Sequence, residues 1–181
     1  MNAADGAREV VLALGSNLGD RLANLQAGID ALTAGPEITA TAVSAVYETS
    51  PVGGPEQPDY LNAVLLAVSS LPARSVLDRC QAAERARGRA RTVRWGPRTL
   101  DIDIIACDAE ISDDPELTLP HPRAHQRAFV LVPWHDADPG AELPGFGPVA
   151  GLLARAGDGG VRRRGDLSLT AGPRAPANRG R

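Results

Sequence analysis

Two aspartates, Asp101 and Asp103, alternate with large aliphatic residues in the segment Thr99–Ala106. In a β-strand, residues i and i+2 point to the same face, so the two carboxylates would stand side by side while the aliphatic residues face a core. Their Cα atoms would lie roughly 6.5 Å apart, at a rise of about 3.3 Å per residue. In proteins Mg²⁺ is bound by one or two carboxylates together with substrate phosphates. The pattern predicts a metal site; the alternative is an ordinary strand with one solvated face.

An arginine-rich segment runs directly into this strand. Arg89, Arg91, Arg94 and Arg98 precede the aspartates, and the chain contains no lysine. A guanidinium group is a rigid fork of donors that matches the oxygens of a phosphate. Beside paired carboxylates, this segment favours contacts with a nucleotide triphosphate; a solvated run of charges is the alternative.

A flat heterocycle is the second ligand that the residues suggest. Aromatic residues make up only 3% of the chain. Tyr60, Trp95 and Phe129 would form a stacking slot, and Asn62 supplies both a donor and an acceptor to the edge of a ring. Core packing is the alternative for each of these side chains.

Other candidate motifs give weaker evidence for a catalytic or binding site. His121 and His125 have a spacing that binds metals on helices, but Pro122 interrupts it and no further His or Cys ligand is evident. The run GSNLG at residues 15–19 lacks the pattern of a phosphate-binding loop and is typical of a strand-to-helix turn. The two cysteines have no metal-ligand or disulfide spacing, and we expect both to be buried.

The hydrophobic pattern predicts the elements that position these residues. The predicted strands and helices, in chain order, are a strand over Arg8–Leu14, a helix over Leu22–Leu32, strands over Ile38–Thr49 and Tyr60–Ser70, a helix over Pro72–Gly88 and a strand over Thr99–Ala106. This order predicts an α+β fold with a ferredoxin-like split βαβ core, a mainly antiparallel sheet and flanking helices.

The length and composition fit one domain over residues 1–161, followed by an Arg-, Gly- and Pro-rich segment over residues 162–181 that is predicted to be a mobile tail. Within that segment, Leu167 and Leu169 carry apolar surface that would dock. Net charge is only −3, which does not suggest nucleic acid as a partner. No apolar run reaches the length needed to span a bilayer, and the N-terminus lacks a signal-peptide pattern, so we expect a cytoplasmic protein with no membrane partner.

Four collinear motifs resemble those of the 6-hydroxymethyl-7,8-dihydropterin pyrophosphokinase family. They are LGSNLGD at Leu14–Asp20, QPDYLN at Gln57–Asn62, RWGPRTLDID at Arg94–Asp103 and LPHPR at Leu119–Arg123. The resemblance implies a ferredoxin-like α+β fold and an ATP-dependent diphosphotransferase of folate biosynthesis. In the implied reaction, the hydroxymethyl oxygen of the pterin attacks the β-phosphorus of ATP, pyrophosphate is transferred and AMP leaves.

By motif position, the resemblance also implies roles for individual residues. Asp101 and Asp103 would bind two Mg²⁺, while Arg89 and Arg98 would contact the ATP phosphates and stabilise the transferring group. The further residues implied on the ATP side are Gln81, Glu84, Arg91, Arg94, His121 and Arg127. The residues implied in the pterin pocket are Gly15, Thr49, Val52, Tyr60, Asn62, Trp95 and Phe129. ATP and 6-hydroxymethyl-7,8-dihydropterin are the expected partners, and we expect a monomer.

Two alternative functions stay open at this point. The first is a Mg-dependent kinase or nucleotidyltransferase acting on another substrate, which would release ADP or pyrophosphate instead of AMP. The second is a non-enzymatic ferredoxin-like module that binds a ligand or RNA through its arginines. The paired aspartates argue against RNA, because carboxylates repel a phosphate backbone unless a metal intervenes.

Overall fold

The computed structural model describes residues 6–88 and 96–172. The strands within these ranges are β1 (Arg8–Ser16), β2 (Ile38–Val43), β3 (Tyr47–Thr49), β4 (Tyr60–Ser69), β5 (Asp101–Cys107), β6 (Ser112–Asp114), β7 (Leu117–Leu119), β8 (Glu142–Leu143), β9 (Gly147–Pro148) and β10 (Arg162–Arg163). The helices are α1 (Arg21–Leu32), α2 (Ala73–Ala86), α3 (Ala128–Ala137) and α4 (Val149–Ala156). Within the same ranges, no helix is both long and apolar enough to cross a membrane.

The main sheet is antiparallel at every strand pair of the described chain. Its order is β10-β3-β4-β1-β5, and β2 also pairs with β4, at the end of β4 that β3 does not cover. Two helices, α1 and α2, lie between strands of this sheet in the chain order β-α-β-β-β-α-β. The predicted α+β fold with a mainly antiparallel sheet is confirmed.

Helices cover both faces of the sheet, and β1 illustrates why. Val10, Leu12 and Leu14 belong to the core cluster formed with α1 and α2, whereas Val11 and Ala13 pack against the second cluster formed with α3 and α4. Successive side chains of a strand point to opposite faces. A strand buried on both sides therefore needs the continuous apolar run that β1 has.

The helix α1 has the predicted amphipathic spacing. Leu25, Ile29 and Leu32 are buried against the sheet, and burying one such side chain contributes about 1.5–3 kcal/mol. The carboxylate of Asp20 accepts a hydrogen bond from the Ala23 N–H at 3.0 Å and caps the first turn. The helix ends at Thr33, whose hydroxyl donates to the Ile29 carbonyl.

The single strand predicted over Ile38–Thr49 is wrong, because the structure divides it into β2 and β3. At the break, the hydroxyl of Ser44 accepts a hydrogen bond from the Val64 N–H at 2.9 Å. The carboxylate of Asp136 accepts another from the Ala45 N–H at 2.8 Å. Side chains thus take two of the hydrogen bonds at the break, while the Ser44 N–H still donates to the Val64 carbonyl, and β3 begins at Tyr47 beside β4.

The C-terminal segment differs from the tail predicted from Arg162. Strand β10 pairs with β3, and Leu167 and Leu169 pack against the core on the α1 side. Thr170 exchanges two hydrogen bonds with the side chain of Gln26. Residues 162–172 are therefore part of the domain. Residues 173–181 lie outside the described range, and for them a tail stays a prediction.

Candidate active site

A polar cleft of about 660 Å³ opens on the α3 side of the sheet, where β1, β4 and β5 meet. Most of the site residues predicted from the sequence line it. These residues are Gly15, Thr49, Val52, Tyr60, Asn62, Arg98, Asp101, Asp103, His121, Arg127 and Phe129. Arg89, Arg91, Arg94 and Trp95 lie outside the described residues.

Strand register aligns three of these residues in one row across the cleft. Gly15 of β1 is paired with Asn62 of β4 on one side and with Asp101 of β5 on the other. Directly opposed residues of neighbouring strands share a face of the sheet. The amide of Asn62 and the carboxylate of Asp101 therefore stand on the same face, about 10 Å apart at the backbone, with two strand spacings between them.

Gly15 keeps the middle of this row open. A Cβ atom at this position would stand 3.3 Å from Oδ1 of Asn62 and 3.6 Å from Cδ1 of Tyr60. The first distance is tighter than an ordinary van der Waals contact. Because glycine has no side chain, the cleft continues from Asn62 to Asp101 without a barrier.

The carboxylate end of the cleft is a cluster of charged side chains. Nη1 of Arg98 donates to Oδ2 of Asp101 at 2.5 Å. Nη1 of Arg127 and Nε2 of His121 each lie 3.9 Å from Oδ2 of Asp103. Burial in the cleft and the negative charge of Asp101 raise the pKa of Asp103 to about 6, against the attraction of Arg127. Two carboxylates, Asp101 and Asp103, thus face the guanidinium groups of Arg98 and Arg127 at this end of the cleft.

This donor set fits Mg²⁺ better than a transition metal. Within the described residues there is no group of three or more His, Cys, Asp or Glu side chains able to hold a metal by themselves. Mg²⁺ keeps several waters and uses one or two carboxylates with substrate phosphates. Two adjacent carboxylates that line the cleft match that requirement, and Asp101 and Asp103 would be the ligands.

His121 is neutral at physiological pH. Burial, reinforced by the positive charges of Arg127 and Arg123, lowers its pKa to about 4. Its Nδ1 accepts a hydrogen bond from the Arg123 N–H at 3.2 Å, which places the ring proton on Nε2. The Nε2–H faces Asp103 and is a hydrogen-bond donor, without being the cationic partner of an ion pair.

The opposite end of the cleft combines an amide with aromatic surface. Nδ2 of Asn62 donates to the hydroxyl of Thr49 at 2.7 Å, and Asn62 is only 6% exposed. This bond fixes the plane of the amide. The Phe129 ring lies 5.4 Å from the guanidinium carbon of Arg127, so the aromatic and charged ends of the cleft meet at this pair.

Two predicted ATP-side residues stand apart from the cleft lining. Glu84 of α2 is 4% exposed, and its carboxylate accepts the Ile102 N–H at 2.8 Å. Because Ile102 lies between the two aspartates, Glu84 anchors the backbone that carries them from the opposite face of the sheet. Gln81 also lies on α2 and does not line the cleft.

Asn17 is a residue of this site to which the sequence analysis assigned no role beyond the strand-to-helix turn of residues 15–19. Its side chain is 1% exposed and donates to Oε1 of Gln57 and to the carbonyl of Pro58, at 2.9 and 3.0 Å. Its Oδ1 accepts the Arg98 N–H at 2.8 Å. The side-chain amide of Asn17 thus connects the loop of residues 50–59, between β3 and β4, to the backbone of Arg98. The position of Asn17 in the LGSNLGD motif was the sequence feature that could have indicated this role.

Arg123 is a second residue without a predicted role that lines the cleft. It lies next to His121 in the quoted LPHPR motif and contributes to the low pKa of that histidine. Its guanidinium adds positive charge at the carboxylate end of the cleft, where a phosphate group would bind.

Comparisons with known proteins agree with this geometry. A family model described as 7,8-dihydro-6-hydroxymethylpterin-pyrophosphokinase matches residues 11–139. The chain is 49% identical over 158 residues to a 2-amino-4-hydroxy-6-hydroxymethyldihydropteridine pyrophosphokinase of Mycobacterium bovis, covering 80% of this chain and 82% of the relative. It is 40% identical over 156 residues to the protein of the same name from Pseudomonas aeruginosa, covering 86% and 96%.

A solved structure with a similar fold is wild-type HPPK-DHPS of Plasmodium falciparum with SDX-DHP, with a TM-score of 0.64 at 13% identity. The match covers 85% of this chain and 45% of that protein. The chain thus spans less than half the length of the solved protein, and at this identity the likeness concerns the fold alone.

Proposed function

Because the chain belongs to the 7,8-dihydro-6-hydroxymethylpterin-pyrophosphokinase family, we propose that its polar cleft binds ATP with Mg²⁺ at one end and the pterin at the other. The protein transfers pyrophosphate from ATP to the hydroxymethyl group of 6-hydroxymethyl-7,8-dihydropterin and releases AMP, a step of folate biosynthesis. It is a diphosphotransferase, and ATP is its co-substrate. The assignments of residues to roles below are ours.

The row of Asn62, Gly15 and Asp101 is the observation that carries this proposal. In this row a neutral amide and a carboxylate stand on one face of the sheet, and they would bind a heterocycle and a metal–phosphate complex respectively. The open position at Gly15 lies between them. A substrate hydroxyl bound at one end would reach a phosphate bound at the other, which is the in-line arrangement that phosphoryl transfer requires.

At the carboxylate end, Asp101 and Asp103 would hold the magnesium, and we propose two ions. When bound, Mg²⁺ neutralises charge on the phosphates and makes the phosphorus a better electrophile. Arg98 and Arg127 lie beside the carboxylates and would bind phosphate oxygens through their guanidinium forks. His121 would donate its Nε2–H to a phosphate oxygen. Arg89, Arg91 and Arg94 are assigned to the same end by motif position alone.

At the other end, the amide of Asn62 would read the edge of the pterin, since one flat amide supplies a donor and an acceptor. The hydrogen bond to Thr49 holds that amide in place. Tyr60 and Phe129 would contact the faces of the ring system, together with Trp95 by motif position. Val52 is 78% exposed and would be covered by the bound pterin.

Neither aspartate is assigned as a general base. Proton removal from the hydroxymethyl group contributes little when the transition state is loose and most of the charge resides on the transferring group. The residues of the cleft would act by positioning the two substrates and by stabilising negative charge on the phosphates. A cytoplasmic location stays a prediction. A monomeric state also stays a prediction.

Product analysis tests the proposed function. The protein is incubated with Mg-ATP, with and without 6-hydroxymethyl-7,8-dihydropterin, and nucleotides are separated by chromatography. We expect AMP to form only when the pterin is present, in equal amount to the pyrophosphorylated product. ADP as the stoichiometric product would indicate an ordinary kinase, and pyrophosphate would indicate a nucleotidyltransferase. RNA binding without Mg-ATP binding would indicate the non-enzymatic module.

The metal site has a separate test. Asp101→Ala and Asp103→Ala should each abolish most turnover while circular dichroism shows an intact fold. The exposed carboxylate Asp113 on β6 provides the control variant Asp113→Ala, which should behave as the wild type. A near-normal kcat in either cleft variant would overturn the metal assignment.

A further inference from the structure

The segment Gly159–Arg164, here called the C-terminal strap, crosses the pterin end of the cleft. Gly159 and Val161 line the cleft. At the far end of the strap, Arg162 pairs with Glu48 and Arg163 with Tyr47 in an antiparallel ladder. The strap therefore joins α3, which carries Phe129, to β3, which carries Thr49.

The strap lies close against the beginning of α3. Gly159 has a φ of +57°, a left-handed conformation that favours glycine. A Cβ atom at this position would stand only 2.9 Å from Cβ of Ala128, the residue before Phe129. Any side chain at residue 159 would push the strap away from the helix and widen the cleft.

Glu48 is the point at which the strap is fastened. The residue is 8% exposed, and its carboxylate accepts hydrogen bonds from the guanidinium groups of Arg162 and Arg164, the latter at 2.8 Å. Nη2 of Arg21, at the start of α1, lies 3.1 Å from the same carboxylate. Hydrogen bonds between charged groups are about twice as strong as neutral ones, so this cluster holds three segments of the chain together.

The cluster lies behind the wall of the pterin pocket and outside the pocket itself. Glu48 is opposite Leu61 in the strand register, whereas its neighbour Thr49 is opposite Tyr60. Side chains alternate along a strand, so Glu48 points to the α1 face and Thr49 to the cleft. The cluster also reaches the loop above the pocket, because Nη1 of Arg21 donates to the carbonyl of Asp59 at 2.8 Å.

We propose that Glu48 is a positioning residue for pterin binding, which fastens the C-terminal strap and β3 so that Thr49, Asn62 and Phe129 keep the geometry of the pocket. This inference rests on the proposed function of the cleft. Glu48 touches no substrate, and the arginines of the strap act on the reaction only through it. Loss of the carboxylate removes the shared partner of Arg21, Arg162 and Arg164, the last of which keeps its ion pair with Asp166, and would release the strap from β3 and open the wall of the pocket.

The test compares Glu48→Gln, Arg164→Ala and the double variant by steady-state kinetics. Small displacements of binding groups weaken positioning strongly, so we expect each single variant to raise the KM for the pterin by about tenfold or more. The KM for ATP and the kcat at saturating pterin should stay close to those of the wild type. The double variant should be no worse than the more impaired single variant, because both changes remove the same fastening.

Glu116→Gln provides the matched control. Glu116 also forms an ion pair with an arginine, Nη2 of Arg74 at 2.6 Å, but both side chains are exposed and lie far along the chain from the strap. The control should have wild-type KM values for both substrates. Gly159→Ala gives a second, uncharged perturbation of the strap and should also raise the KM for the pterin.

Each outcome bears on the inference. Variants that lose thermal stability but keep the wild-type KM for the pterin would show a merely structural role and overturn it. An equal rise of both KM values, or independent effects that multiply in the double variant, would overturn it as well. Wild-type protein that forms no AMP from ATP and pterin would overturn the proposed function, and this inference with it. Normal variants of an active wild type overturn the inference alone.

Discussion

Replacing Asp103 by asparagine should make the protein more stable in the absence of Mg²⁺ while removing its activity. The pKa of Asp103 is raised to about 6 because the carboxyl is recessed in the cleft and stands beside the negative Asp101. A raised pKa means that the ionised form is disfavoured in the folded state. Asparagine has nearly the same shape and carries no charge, so Asp103→Asn removes both the cost of burying a charge and the repulsion from Asp101.

The size of the effect follows from the pKa. Each pKa unit is worth about 1.36 kcal/mol, so the rise from the ordinary 3.8 to about 6 corresponds to roughly 3 kcal/mol at pH 7. The attraction of Arg127 and Arg98 is already included in that pKa. The side chain is 43% exposed, and solvent screening at such a position reduces the expected gain to about 1–2 kcal/mol. A domain of this size then gains roughly 2–8 °C in Tm.

The stability difference between the wild type and Asp103→Asn should change with pH in a defined direction. The stability associated with a raised acid pKa is fully present below the unfolded value and is lost as the pH rises through the folded value. The wild type therefore loses stability between about pH 3.8 and pH 6, and Asp103→Asn does not. The difference in Tm between the two proteins should be largest above pH 7 and should vanish near pH 4.

Thermal unfolding in EDTA, followed by circular dichroism across this pH range, measures the difference. Asp113→Asn, at an exposed position of β6, should leave the Tm unchanged. With Mg²⁺ and a non-hydrolysable ATP analogue, the order should reverse, because only the wild type gains the binding free energy of the metal complex. A Tm for Asp103→Asn equal to or below that of the wild type in EDTA at pH 7.5 would refute the like-charge reasoning.

Three further predictions concern the two ends of the cleft and the strap. Arg98→Ala should lower kcat by about 10²–10³, roughly 2.7–4 kcal/mol of transition-state stabilisation, and pre-steady-state kinetics with a near-normal chemical step would contradict the role of Arg98. Asn62→Ala should raise the Kd of the pterin, measured by calorimetry, and a change confined to ATP would show that the pocket is assigned wrongly. Glu48→Gln should lower the free energy of unfolding by about 1.5–3 kcal/mol at pH 7. Burial alone would raise the pKa of Glu48, but hydrogen bonds from Arg162 and Arg21 hold it below the ordinary 4.5. The difference from the wild type in urea unfolding should therefore shrink as the pH falls below about 4.5; a difference independent of pH would contradict the ion-pair explanation.

The strand that carries the two aspartates was predictable because the alternation of aliphatic and acidic residues is visible within a few consecutive positions. Ile102 and Ile104 of β5 and the preceding Leu100 are buried in the core, while Asp101 and Asp103 line the cleft. Alternation along a strand fixes which side chains share a face, and no knowledge of the rest of the fold is needed. The amphipathic face of α1 was predictable for the same reason.

Contacts between distant segments were not predictable from local patterns. Glu48 and Arg162 are 114 positions apart, and an Arg-rich segment with few apolar residues gives no local signal of strand pairing. Asn17 and Asp20 are both residue types that favour helix caps. Asp20 caps α1, whereas Asn17 binds Gln57 and Pro58 because the folded chain brings the loop of residues 50–59 next to it. The break between β2 and β3 depends on Ser44 meeting Val64 and on Ala45 meeting Asp136 of α3, and both contacts join segments that are distant in the sequence.

The division of the cleft into a neutral end and a charged end follows from how β-sheets position side chains. Register places Asn62 and Asp101 two strands apart, a separation fixed by backbone hydrogen bonds at about 10 Å. Arg127 joins the two ends, because its guanidinium faces Asp103 at 3.9 Å and lies over Phe129 at 5.4 Å. In the proposed binding mode, a positive charge at that junction would adjoin both the pterin and the phosphates. Since an arginine positioned before the reaction needs little reorganisation during it, the same side chain can orient both substrates and stabilise the charge that develops where they meet.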